Sequence, residues 1–183
     1  MLKAALSRWL DKFERQWGYD ASYMRYVLAA SPATLLKFSF VSGLVERRAA
    51  PGAVLAAAGI AGTLTEDCGP CTQIGVDMAA AGGVKPEILR AILAGDEAGM
   101  GEDAALAWRF ARASLARDMQ AADPLRDEIL RRWGDRGLVA IAMAITTARM
   151  YPTLKYALGY GKACSKVVVA GIATPVAPVA MAA

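Results

Sequence analysis

Proline stands at the head of one apolar segment after another, and glycine stands at the tail. Ser31-Pro32 opens "SPATLLKFSFVSGLVERR", Pro51 opens "PGAVLAAAGIAGTLTED", and Pro86 opens "PEILRAILAG", which closes on Gly95. Asp123-Pro124 opens "DPLRDEILRRWG", stopped at Gly134, and Pro152 opens "PTLKYALGYGKACSKVV". Proline lacks an N–H and is tolerated in the first helical turn, whereas glycine takes the left-handed conformation that ends a helix. Between these marks the apolar residues recur at helical spacing, as with Ala105, Leu106, Phe110, Ala113 and Leu115 in "EDAALAWRFARASLARD". No pair of alternating apolar runs flanks an Asn-Gly or Asp-Gly turn, so hairpins are not expected. The expectation is an all-α chain of roughly eight helices.

The 183 residues suit one domain. We expect it to span 1–167, with an apolar Pro/Ala-rich tail over 168–183. Pro175 and Pro178 interrupt that tail, and it is short for a membrane span, so it should be loosely ordered or lie on a neighbouring subunit. Much of the 56% hydrophobic content is alanine, as in "AVLAAAGIAG" and "VAIAMAITTA". Such segments suit helices packed on several sides, and part of that surface is expected at an oligomer interface. In the first helix Leu2, Ala5, Leu6, Trp9, Leu10, Phe13 and Trp17 form one face.

The net charge of +4 is spread among acids, as in "LRDEILRRWGDR", so no nucleic-acid partner is expected. Arg8, Asp11 and Lys12 occupy the place of a signal peptide's apolar core. No export or membrane anchoring is expected, and the cysteines should sit in a reducing cytoplasm. There a close cysteine pair points to redox or metal chemistry rather than to a structural staple.

That pair is Cys68 and Cys71 in "TEDCGPCTQI". Cys-Gly-Pro-Cys is the core of thioredoxin-like proteins, but a thioredoxin needs a buried strand leading into it. Here the lead-in is alanine-rich and helical. On a helix a spacing of three puts both thiols on one face, and Pro70 places them in the first turn. Unpaired N–H groups and the helix dipole there favour a thiolate, more so for Cys68. Glu66 and Asp67 oppose it, or serve in proton transfer; Gln73 and Asp77 are the other polar neighbours. Two inert buried cysteines remain the structural alternative. With three Cys and no His, a zinc site would have to recruit Cys164 and Asp77, so no metal is expected. The lack of histidine also excludes imidazole-dependent triads, and no phosphate loop is present, so no cofactor is expected. Cys164, between Lys162 and Lys166, is either inert or an extra thiol for resolving a disulfide.

From Tyr19 to Val167 the order of features resembles the alkylhydroperoxidase AhpD-like branch of the carboxymuconolactone decarboxylase superfamily. An alanine-rich helix runs into Cys-x-x-Cys at the head of the next. "AAAGGVKPEILRAIL", "EDAALAWRFARASLARD" and "LRDEILRRWGDRGLVAIAMAITTARMYPTLKYAL" follow in the family's order. The resemblance implies an obligate homo-oligomer, a trimer or hexamer, with its dithiol in a pocket near a subunit interface. It implies Cys71 as the thiolate that attacks peroxide and Cys68 as proton donor and resolving thiol. The dipole argument ranks the two thiols the other way, so their order stays open. At the positions of the family's relay His and Glu this chain has Gly75 and Ala56. The expected function is a thiol–disulfide oxidoreductase that reduces a hydroperoxide or a disulfide and is itself reduced by a thiol or lipoyl-protein partner. The alternative is a non-catalytic helical oligomer with a binding or assembly role.

Overall fold

The alanine and glycine content of the segment before the dithiol sets the architecture, because it lets backbones approach closely. In the computed structural model, which describes residues 1–161 and 167–176, that segment is helix α4 (Gly52–Thr65). It is preceded by α1 (Leu2–Trp17), α2 (Ser22–Ala30), α3 (Pro32–Ser39) and a short 3-10 helix (Val41–Leu44). It is followed by α5 (Gly69–Ala81), α6 (Pro86–Ala94), α7 (Glu97–Met100), α8 (Glu102–Leu115) and α9 (Met119–Ala157). The chain is all-α but for two short strands, β1 (Val167–Val169) and β2 (Ile172–Thr174).

Helix α4 packs against α8 and α9, and its Val54, Ala57, Ala58, Ile60 and Ala61 join the main core. A Cβ at Gly62 would lie 3.0 Å from the carbonyl oxygen of Ile145, so glycine is what permits the α4–α9 approach. Arg132 of α9 ties the head of α8 down, pairing with Asp103 at 2.5 Å and also with Glu102 and Glu128. By length and composition α9 alone among the described helices meets the requirements of a membrane span, and 39% of that apolar stretch is buried within the domain.

Two proline readings are corrected. Pro124 and Pro152 do not open helices; both lie inside α9, whose cap is Asp118, its carboxylate accepting from the Ala121 N–H. The expected stop at Gly134 holds: its φ of 64° and ψ of −172° are non-helical and divide α9 into two helical stretches. Tertiary packing outweighs the roughly 3 kcal/mol that an interior proline costs. Ser31 does cap α3, accepting from the Thr34 N–H, and Gly95 ends α6 at φ 69°.

The hairpin expectation is also corrected. β1 and β2 pair antiparallel, Val167 opposite Thr174, around Ala170 and Gly171 at φ 50° and 79°. Two positive φ values are what a tight two-residue hairpin turn demands, and alanine meets that demand at a cost of about 1–2 kcal/mol. Thus part of the expected tail folds onto its own chain: Val167 and Val169 are buried in the main core.

A second apolar cluster holds the N-terminal helices together through Leu6, Leu10, Tyr23, Leu28 and Leu35. Tyr151 and Leu154 from α9, and Leu158 just past its end, pack on it. The dithiol and a cavity of about 360 Å³ lie between the two clusters.

Candidate functional site

Helix α5 begins at the dithiol itself. Cys68 is its cap residue, Gly69 and Pro70 form its first turn, and the Thr72 N–H donates to the Cys68 carbonyl at 2.9 Å. The Cα atoms of Cys68 and Cys71 are 5.3 Å apart and their sulfurs lie at disulfide distance. Both residues are buried, at 4% and 3% exposure, so a bulky partner has no direct access to either sulfur. Thr72 anchors the turn, donating to the Cys68 carbonyl and to Thr63 of α4.

Cys71 lines the cavity and Cys68 does not. Above Cys71 sits Tyr19, from the loop that Gly18 opens in the left-handed conformation after α1. Its hydroxyl is 3.9 Å from the Cys71 sulfur. Lys155 of α9, itself buried, holds its ammonium 5.6 Å from the centre of the Tyr19 ring, a cation–π arrangement. Tyr23 neighbours Tyr19, with ring centres 6.5 Å apart. Its hydroxyl is the buried polar side-chain atom, among the described residues, that lacks a hydrogen-bond partner.

Burial holds both phenols protonated above the ordinary tyrosine range; Asp20 adds to the effect at Tyr19, and Tyr19 to that at Tyr23. A raised folded-state pKa means that stability is intact below the unfolded value near 10 and is lost as pH climbs beyond it. Above about pH 10 the unfolded phenols release protons that the folded ones keep. Stability should then fall as pH rises, by up to about 1.4 kcal/mol per pH unit for Tyr23, with a decline of the same sign from Tyr19. Urea midpoints measured from pH 8 to 11 should show this decline, reduced in Tyr23→Phe. An unchanged slope in that variant would refute the assignment.

The sequence candidates divide by location. The Glu66 carboxylate pairs with Arg149 of α9 at 2.5 Å and accepts from Thr153. Asp67 is exposed, at φ 48°, and its carbonyl accepts from the Tyr156 hydroxyl at 2.8 Å. Gln73 clamps β1: its amide donates to the Val168 carbonyl and accepts from the Val168 N–H, while also donating to Asp77. Glu66 and Gln73 bind neighbouring elements, Asp77 binds Gln73 within α5, and Asp67 engages α9 through its backbone carbonyl; none of these bonds reaches a sulfur. Cys164, with Lys162 and Lys166, lies outside the described residues. Gly75 and Ala56, where the family resemblance expects relay side chains, both line the cavity wall.

Tyr19, Tyr23 and Lys155 are the site residues that sequence reading misses. The signal is faint: Tyr19 and Tyr23 are four apart, as are Tyr151 and Lys155, so each pair can share a helical face. Nothing local says that those two faces meet over a dithiol.

Comparison of the chain with family models, with curated proteins and with solved structures returns no match. Function has to be argued from the site.

Proposed function

We propose that the protein is an AhpD-like thiol–disulfide oxidoreductase, cycling between dithiol and disulfide at Cys68 and Cys71. The observation that carries this is the pairing of the two buried cysteines at the head of α5, with Cys71 alone facing the cavity under the Tyr19 hydroxyl. A small hydroperoxide can enter where a protein cannot. The Cys71 thiolate attacks its terminal oxygen, the O–O bond breaks, and the alcohol leaves with one added proton. Cys71 becomes a sulfenic acid. The Cys68 thiol then displaces water from it and the disulfide forms. An external dithiol, free or on a lipoyl arm, supplies two electrons and two protons to restore the pair.

Tyr19 stands in for the missing relay as a hydrogen-bond donor to the Cys71 thiolate. Being held protonated, it stays a donor across the physiological range. The helix N-terminus adds its positive end, and Arg149 neutralises Glu66, the carboxylate that would otherwise oppose ionisation. We further propose a cytoplasmic homo-oligomer, a trimer or hexamer. Val139 and Met150, exposed along α9, and Ile172 on the hairpin are apolar groups that such contacts would cover.

The test is thiolate titration by alkylation rate on the reduced protein, in wild type, Cys68→Ser, Cys71→Ser and Tyr19→Phe, followed by titration in redox buffers. Cys71 is expected to ionise below the free value of about 8.5, and Tyr19→Phe to raise it by up to about one unit. Two slow thiols with ordinary acidity would overturn the reading and leave a helical assembly with an inert pair.

A further inference from the structure

The cavity has features that the dithiol does not explain. Its volume is about 360 Å³, near the small end of the ~300–1,000 Å³ typical of ligand pockets. At about 30 Å³ per water-sized group, it holds on the order of a dozen non-hydrogen atoms. It is elongated. Lining positions Gly52, Leu55, Ala56, Gly59, Ile60 and Thr63 follow one face of α4, a run of about 16 Å at ~1.5 Å per residue.

The two ends of that run differ. Thr63 is hydrogen-bonded to Thr72, the neighbour of Cys71, so this end meets the dithiol. Gly52 lies against Val84, beyond the far end of α5, and the loop entering α4 here carries Arg47. Among the described residues Arg47 is the only charged one lining the cavity. It is exposed, and no carboxylate pairs with it among the described residues, although its neighbour Glu46 is bound to Arg136. Between these ends the walls are aliphatic and aromatic, from Phe13 and Phe38 to Ile74 and Met78. Gly75 and Ala56 leave room there that larger side chains would fill.

We propose that this cavity binds a linear aliphatic carboxylate of about a dozen non-hydrogen atoms. The carboxylate sits on the Arg47 guanidinium and the chain runs along α4 toward Cys71. The guanidinium fork matches a carboxylate's two oxygens, and its place at the mouth spares the charge from full desolvation. The long apolar run selects an unbranched tail over a compact ring. Binding does not require the dithiol to turn over, so it stands or falls separately from the oxidoreductase reading.

Isothermal titration calorimetry of the oxidised full chain with decanoate, and with its neutral counterpart decanamide, tests this. Decanoate should bind about five- to tenfold more tightly, the worth of a partly exposed charge-assisted hydrogen bond. Arg47→Gln, at an exposed position without an ion pair, should bring the two ligands to parity. Gly75→Leu should weaken both by filling the cavity, and Ala56→Leu serves the same purpose if that variant fails to fold. Decanoate should bind equally well to a Cys68→Ser/Cys71→Ser double variant. Absence of decanoate binding, equal affinity for the two ligands in wild type, or a preference that survives Arg47→Gln would each overturn the proposal.

Discussion

Cys71→Ser is expected to abolish disulfide-coupled hydroperoxide turnover, with a loss of at least about a thousandfold, because it removes the attacking sulfur. Cys68→Ser should behave differently. Its Cys71 still faces the cavity and still has the Tyr19 hydroxyl 3.9 Å away, so one equivalent of hydroperoxide should be consumed in a single turnover. The sulfenic acid is then expected to persist, because its resolving partner Cys68 is gone, and a dimedone-type trap should label it. The opposite pattern would assign attack to Cys68 and would favour the dipole argument over cavity access. Rapid-quench assays on both variants, with mass spectrometry of the trapped adduct, separate the two orders. Equal residual turnover in both variants would mean that the dithiol is not the reaction centre.

The largest stability effect should come from Gly62→Val. The new Cβ would sit 3.0 Å from the Ile145 carbonyl oxygen and 3.4 Å from the Arg149 Cγ, so the α9 backbone would have to shift to admit it. Overpacking of this kind costs about 1–3 kcal/mol, and the β-branched side chain forfeits most of the helical gain from replacing glycine. A loss of about 1–3 kcal/mol is expected in chemical denaturation. Gly59→Ala, one turn earlier, is the control. Its Cβ would meet the Ala144 carbonyl oxygen at 3.7 Å, an ordinary contact, so helix propensity should stabilise it by about 0.5–1 kcal/mol. If both variants lose stability alike, the crossing does not depend on close approach at Gly62.

Helix class and the place of the dithiol are legible in the residues because they depend on local chemistry. Pro70 and the Cys-x-x-Cys spacing put the pair in the first turn of α5, and the structure places it there. Helix boundaries are less legible where tertiary contacts compete with local preference. Pro124 and Pro152 look like helix starts, yet they sit inside α9, where Pro152 is buried. Ala170-Gly171 lacks the Asn-Gly or Asp-Gly signature, yet it forms the hairpin turn because Val167 and Val169 gain a place in the core. Glu66 and Gln73 look like relay candidates from their nearness to the cysteines. Their side chains instead bind Arg149 and the backbone of β1, partners 83 and 95 positions away in sequence.

From residue order alone, this chain determined its all-α class, the dithiol at a helix head and the absence of any imidazole chemistry. Each follows from side-chain identity and short-range spacing. Only the tertiary structure decided which thiol faces open space, which phenol stands over it and which ammonium stands over that phenol, and how long and how apolar the neighbouring cavity is. Tyr19, Cys71 and Lys155 come from a loop, the first turn of α5 and the last turns of α9. Their meeting depends on two apolar clusters packing against each other. No local pattern encodes that juxtaposition.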